Sequence, residues 1–494
     1  MKKLLSFLFL FFLISTAKSI ELKNPGDVMV DFETFSIEEC ASECKNIPEK
    51  FVFPPLPEAL DEKWRKKNVI VINDKYTTYK EWVYKIGSDI QGLGLACLIG
   101  KKEACNVLIT SVEKIIKNDY LKPNNWDGWP HDSKKIKSST NVFTFNHLIV
   151  GPMIENYAIA LKATGKKPVE GFKEWFYRRY EPNLRYYTHQ TGNWKDVRLT
   201  KYKLKGKKVP QNHIVLATNL HLSALSIMND AENFEKELEI WDLYMRTMNK
   251  DGSFPLEADR GAKAIMYTGR SIMALLKLAH IAEIQGIDLW GRKYKKDWQN
   301  FHHAISFFLD TLNKNKIIYK HAKINESAGD TRKYKNQDFR WFPTEISFYT
   351  YYKKKFPNHP NIKKFENLTF DKKTCKVPKK QRMSYCKSED HIITFKEIFD
   401  TDKKRLNRQN NFMGHRCFYL NGKYKVDKNE YSKKSKKKAF EYIAIVKNKL
   451  DDKVLIKVRA ASKEQAIEEA MKKCTDKHEN GCYVHYSSQV AFGQ

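Results

Sequence analysis

Asp251 to Lys277 reads DGSFPLEADRGAKAIMYTGRSIMALLK, and the rest of the chain is most easily ordered outward from it. A turn-forming start gives way to an apolar run with three- and four-residue spacing, the mark of a buried helix. Arg260 and Tyr267 stand seven positions apart. Two helical turns separate such positions, so a helix beginning at Arg260 places both side chains on one face. A cation beside a phenol favours its ionised form and suits the tyrosine to accept and return a proton. By itself the spacing is equally that of a solvated arginine above a half-buried aromatic.

The same helical texture runs from Ile37 to about Tyr352. Segments such as ACNVLITSVEKIIKN, NHLIVGPMIENYAIALKATG, GFKEWFYRRYEPNLRYY, NHIVLATNLHLSALSIM, FEKELEIWDLYMRTM and NFHHAISFFLDTLN repeat apolar residues at three and four. Gly165 and Gly286 follow two of them at the C-cap position. Many helices of similar length, with no fixed repeat period, point to a bundle or a helical toroid. The predicted class is mainly α, with an incomplete (α/α) toroid over 20–352 and a linker of lysine, proline and asparagine over 353–380.

Beyond the linker, residues 381–494 change texture. FEYIAIVKN and KVLIKVRAAS alternate as strands, SKEQAIEEAMKKC carries a helix-capping serine, and YVHYSSQVAF returns to strand. A small α+β domain with a Cys474–Cys482 cross-link is expected there; its role is not legible.

The N-terminus, Met-Lys-Lys followed by apolar Leu4 to Ile14 and small residues at Ala17 and Ser19, reads as a signal peptide over 1–19. Its apolar core is too short to span a bilayer, and no later run reaches the ~20 apolar residues a spanning helix needs. An exported, periplasmic or secreted chain is expected, starting at Ile20. Export makes the nine cysteines disulfide candidates, with Cys40, Cys44, Cys97 and Cys105 forming two bridges between two helices and one cysteine overall left over. The formal charge of +31 becomes 31 − 3 = +28 once Lys2, Lys3 and Lys18 leave with the signal. Such charge seeks an acidic partner, and for an exported chain an acidic polysaccharide or anionic envelope surface suits better than nucleic acid.

A second chemical stretch lies upstream, KKVPQNHIVLATNLHLSAL, where Pro210 is placed to start a helix and Asn212 and His213 fall in its first turn. The exposed backbone donors of a helix N-terminus attract anions, and Asn and His side chains add donors for a carboxylate. In isolation, Asn212 as a cap and His213 as a packed neighbour explain the pair equally well.

Gln211-Asn212-His213 followed by DGSFPLEADRGAKAIMY resembles the poly-mannuronate (alginate) lyases of polysaccharide lyase family five, over roughly Cys40 to Tyr352. The resemblance implies a helical toroid around a substrate cleft, no metal or redox cofactor, and β-elimination at a 4-linked uronate. It implies that Asn212 and Arg260 neutralise the substrate carboxylate, that His213 assists or serves as base, and that Tyr267 acts at the scissile bond. Substrate-binding candidates are Gln211 and the aromatics Trp126, Trp129, Tyr187 and Trp194, which suit stacking on sugar rings. The sequence departs from the family pattern at Gln211, where it has Asn; at Met266, where it has His; and at Gly269, where it has Asn.

Two other readings compete. A lyase-like protein could bind polyanions without cleaving them, which the departures favour. A glycoside hydrolase could draw its two carboxylates from Asp251, Glu257 and Asp259. His302 and His303 are adjacent and diverge on a helix, a poor metal pair.

Overall fold

The computed structural model describes residues 21–35, 47–48, 50–54, 56, 71–72, 75–76, 79–121, 146–178, 203–204, 207–208, 212–322, 348–370, 393–395, 413–414, 416–419, 441–448, 455–460, 463–475 and 482–490. The chain divides into two compact units, Met1–Tyr424 and Lys425–Gln494. The signal-peptide stretch, Cys40 and Cys44 lie outside the described residues.

The first unit is mainly helical, as the periodicity predicts. Helix α1 (Tyr79–Leu98) turns at Gly100 into α2 (Lys102–Lys117), and α3 (Gly151–Thr164) continues a single π-helical turn over Asn146–Val150. Then come α4 (Asn212–Ile227), α5 (Ala231–Glu237), α6 (Glu239–Thr247), the one-turn α7 (Pro255–Ala258) and the long α8 (Ala264–Ile284). The unit continues with α9 (Phe301–Asn313), α10 (Tyr349–Lys355) and α11 (Pro360–Glu366). Neighbours pack in the order α1 on α3, α3 on α4, α4 on α8, α8 on α9 and α9 on α11, the succession of an incomplete (α/α) toroid. Among the described residues no helix is long and apolar enough to cross a membrane.

Local chemistry explains most boundaries. Gly165 ends α3 at φ +67°, a left-handed cap open to glycine at little cost. The segment FEKELEIWDLYMRTM, which reads as one helix, breaks at Leu238 into α5 and α6. Asp230 caps α5 by accepting from the Asn233 N–H. A disulfide joins Cys97 on α1 to Cys105 on α2 across their tight turn, so each of these two helices is stapled to the other rather than to the Cys40 region.

The linker expected over 353–380 is not one at its start. Residues 353–355 close α10 and residues 360–366 form α11, helices whose Tyr352, Ile362 and Phe365 are buried in the first unit's core. Lysine and proline suggest a solvated stretch, but aromatic and branched residues every three to four positions give the segment an apolar face that outweighs them. Residues 369–370 then pair antiparallel with 393–394 inside the same unit.

Helix α8 is the core element. Nearly every position from Ala264 to Ile284 is buried, including Lys277, whose ammonium pairs with the equally buried Glu155 of α3. The N-terminal segment 21–35 straps across the far end of α8. Gln285 accepts from the Asn24 N–H at 3.1 Å and donates to the Asn24 and Asp27 carbonyls at 2.8 and 2.7 Å. Asp27 pairs with Lys162 at 2.7 Å, and His280, held near pKa 4 by burial, contacts the Met29 carbonyl at 2.9 Å.

In the second unit, β1 (Glu441–Asn448), β2 (Leu455–Ala460) and β3 (Cys482–Val490) form an antiparallel sheet in the order β2-β1-β3, and α12 (Lys463–Thr475) packs across all three strands. This is the α+β texture read from the sequence. The Cys474 and Cys482 side chains lie outside what is described.

Breaking a buried ion pair strands a charge, whereas replacing both partners removes the need to desolvate either. Lys277→Ala should therefore cost about 3–5 kcal/mol in urea unfolding, and Lys277→Met combined with Glu155→Leu should recover most of it. Equal losses in both variants would contradict this reading of the core.

Candidate active site

The stretch that opens at Asp251 folds as a turn, a short helix, a break and a long helix, and each step sets one side chain. Gly252 sits at φ +89°, and a Cβ there would lie 2.5 Å from the His303 carbonyl oxygen, so glycine is required. Ser253 donates to Asp251 from its hydroxyl at 2.7 Å and its N–H at 3.1 Å. The other oxygen of Asp251 takes Lys320 at 2.6 Å and His321 at 2.8 Å. Burial works against that carboxylate, yet hydrogen bonds from His321, Lys320 and Ser253 hold it well below the usual range. Asp251 is a brace for the turn.

Pro255 opens α7, where its missing N–H costs nothing. One turn later comes Glu257, fully buried, and its two oxygens reach the first residue of α4. They accept from the Asn212 backbone N–H at 2.5 Å and from Asn212 Nδ2 at 3.0 Å. Burial pushes the Glu257 carboxyl up, while the Arg260 charge, the two Asn212 donors and Ser271 draw it partly back. A helix N-terminus with four unpaired N–H groups is thereby tied to the turn that carries Arg260.

Arg260 and Tyr267 do meet, though not by riding one continuous helix. Arg260 precedes a 3₁₀ turn over Gly261–Lys263, and α8 begins at Ala264. The guanidinium lies over the Tyr267 ring, 4.0 Å from Cζ to the centroid, and that of Arg270 approaches the same ring at 5.5 Å. This is a cation–π contact, which fixes the ring and leaves the guanidinium edge to other partners. Arg260 Nε is buried and has no hydrogen-bond partner among the described residues. A buried donor left in that state is costly and marks a place where a partner fits. Both side chains are half-buried.

Asn212 begins α4 as the sequence predicts, and His213 follows it in the first turn; of His213 the helix backbone alone is described. Gln211, Trp126, Trp129, Tyr187 and Trp194 lie outside the described residues. Met266 and Gly269, two of the departures from the family pattern, are buried in α8, on which Tyr267 itself is half-buried.

Two of the carboxylates weighed as a hydrolase pair are otherwise engaged. Asp251 is bonded to Lys320 and His321, and Glu257 is buried against Asn212, so neither is disposed as a free acid beside a base and a water. What sequence reading missed is the second role of Glu257. Its place three residues before Arg260 was the available signal, but nothing local reveals a contact made 45 positions away.

The matching family has the description Alginate lyase, over residues 137–318. That stretch carries an alginate lyase match. It encloses Asn212, His213, Arg260 and Tyr267, the four residues assigned by resemblance. No curated protein matches the chain. Among solved structures, a Tyr-to-Phe variant of alginate lyase A1-III complexed with tetrasaccharide is 16% identical, with 71% of this chain and 93% of that chain covered and a TM-score of 0.48. Alginate lyase A1-III from Sphingomonas species A1 is 20% identical over the same shares, at 0.41. An alginate lyase from Bacteroides ovatus is 16% identical, covering 56% of this chain and 70% of that one, at 0.37.

The Glu257 clamp has a pH signature. Its carboxyl is raised above 4.5 in the folded protein, so the folded state keeps a proton that the unfolded chain has released, and stability falls as pH climbs from 4.5 through the raised value. Glu257→Gln presents an N–H where Asn212 needs an acceptor and should cost about 1–3 kcal/mol. That deficit should shrink as pH rises through the same window in urea unfolding series; a deficit independent of pH would show that Glu257 does not titrate there.

Proposed function

We propose that this protein is an exported polysaccharide lyase that breaks a 4-linked polyuronate, alginate or a close relative, by β-elimination. The observation that carries the reading is the Arg260 guanidinium stacked on Tyr267 with its Nε unpartnered, within the stretch that matches the alginate lyases.

The chemistry follows from what these groups offer. The C5 proton of a uronate is weakly acidic, because it has only a carboxylate to delocalise the charge left behind. The unpartnered edge of Arg260 and the second N–H of the Asn212 amide are suited to hold that carboxylate and to stabilise the enolate-like charge as it forms. Glu257 occupies the first amide N–H and the backbone N–H, so Asn212 is fixed before substrate arrives. A base takes the C5 proton, the C4–O4 bond breaks as the C4=C5 double bond forms, and an acid returns a proton to O4. In mannuronate the two groups lie on one side of the ring, and Tyr267 serves both in turn. In guluronate they are opposed, and His213 shares the task with Tyr267.

The apolar stretch Leu4 to Ile14 supports export, and the charge of +28 on the remainder supports an acidic polymer as substrate. A non-catalytic binder is the reading favoured by buried Met266 and Gly269 at positions where the resembled family has His and Asn.

Tyr267→Phe should fold normally and bind polymannuronate, while the rate at which ultraviolet-absorbing unsaturated ends appear drops by about 10²–10⁴-fold, the usual worth of a positioned acid–base group. Wild-type protein that is folded, binds the polymer and forms no unsaturated ends on any uronan would replace the lyase with the binder.

A further inference from the structure

Helix α8 is buried almost all round, and the places where its leading half is not fall on a single strip. From Asp259 to Ala282 only Asp259, Arg260, Lys263, Tyr267 and Arg270 reach solvent, each half-buried, and every other residue is buried. Lys263 stands four positions before Tyr267 and Arg270 three after it, the spacings that place side chains on one helix face. Further along, where α8 is enclosed, its lysine, Lys277, is buried against Glu155.

The strip is not simply a row of charges held out in water. The Arg260 guanidinium lies 4.0 Å and that of Arg270 5.5 Å from the centre of the Tyr267 ring, so two cations converge on one phenol. Helical side chains lean toward the N-terminus, which carries Arg270 back over the ring one turn earlier. Met266 is buried beside Tyr267 in the sequence and brings no cation where the resembled family has His. Arg270, four positions after Met266, supplies one from the next turn.

The proposed elimination uses one guanidinium on one carboxylate, and it assigns that task to Arg260 with Asn212. Lys263 and Arg270 have no part in it. They stand seven positions apart, about 10 Å along a helix axis, which is longer than one sugar ring. Asp259 is the one acid in the strip, so cations outnumber it and the strip as a whole favours an anionic chain.

We propose that Lys263 and Arg270 bind the carboxylates of the sugars on either side of the one that is cleaved, which makes consecutive uronates a requirement of the site. This rests on the reading of Arg260 and Tyr267 as the elimination site and adds its specificity. Guanidinium and ammonium groups take carboxylates through charge-assisted hydrogen bonds, whereas a neutral sugar in either position leaves a half-buried cation without its anion. An uninterrupted uronan is then a good ligand, and a polymer in which uronates alternate with neutral sugars is a poor one.

The test uses the full chain with Tyr267→Phe, so that polymer is not consumed, and two ligands. One is polymannuronate; the other is the same polymer with part of its carboxylates reduced to alcohols, so that most remaining uronates have neutral neighbours. Adding Arg270→Gln or Lys263→Gln should weaken binding of polymannuronate roughly tenfold and binding of the reduced polymer less than about twofold. Lys295→Gln, the same charge change at an exposed position, should alter neither. Equal losses on both polymers would show that these residues only support the ring and the fold. That result, no loss on either polymer, or an equal effect of Lys295→Gln overturns the proposal. Turnover with Tyr267 in place is scored separately. Cleavage of both polymers at the same rate per uronate sinks the flanking subsites alone, and polymer-dependent losses without any cleavage sink the lyase alone.

Discussion

The contact on which the candidate site depends is the pair of hydrogen bonds from Asn212 to the buried carboxylate of Glu257. A charged group taken wholly out of water is tolerated only when donors replace its hydration, and here they come from the first residue of α4 and from Ser271, with the Arg260 charge close by. The two bonds do two things at once. They satisfy an N–H at a helix start that would otherwise be orphaned, and they hold the turn from Pro255 to Arg260 against that start. Without them the Asn212 side chain and the turn that carries Arg260 would lose the contact that joins them.

Much of the fold was readable because helix periodicity and capping are local. The starts and ends of α2, α4 and α9 fall within a residue or two of the segments the apolar spacing marks out, the segment from Asn146 divides into a π-helical turn and α3, and Gly165 and Gly286 terminate helices with positive φ as their sequence context suggests. The three strands of the second unit were equally plain from alternation. Local signals failed where composition and packing disagree. Residues 353–366 carry enough lysine to look like a linker, yet Ile362 and Phe365 bury one face of α11.

The site shows the same division. Arg260, Tyr267 and Asn212 were identifiable from motif spacing, and the structure brings Arg260 against Tyr267. The route differs from the one spacing suggests: a 3₁₀ turn interposes, and the meeting is guanidinium on ring face rather than two residues stacked along a single helix. Glu257 was visible only as a possible hydrolase carboxylate, because partners 45 positions apart leave no trace in a local pattern.

The central claim is that the bond breaks by elimination and not by addition of water. Mass spectrometry of the fragments from polymannuronate tests it most directly, since elimination leaves one new end lighter by a water molecule than hydrolysis does. The account predicts fragments whose new non-reducing ends all carry that deficit. Fragments with fully hydrated ends, from folded wild-type protein, would contradict it and return the carboxylates to consideration.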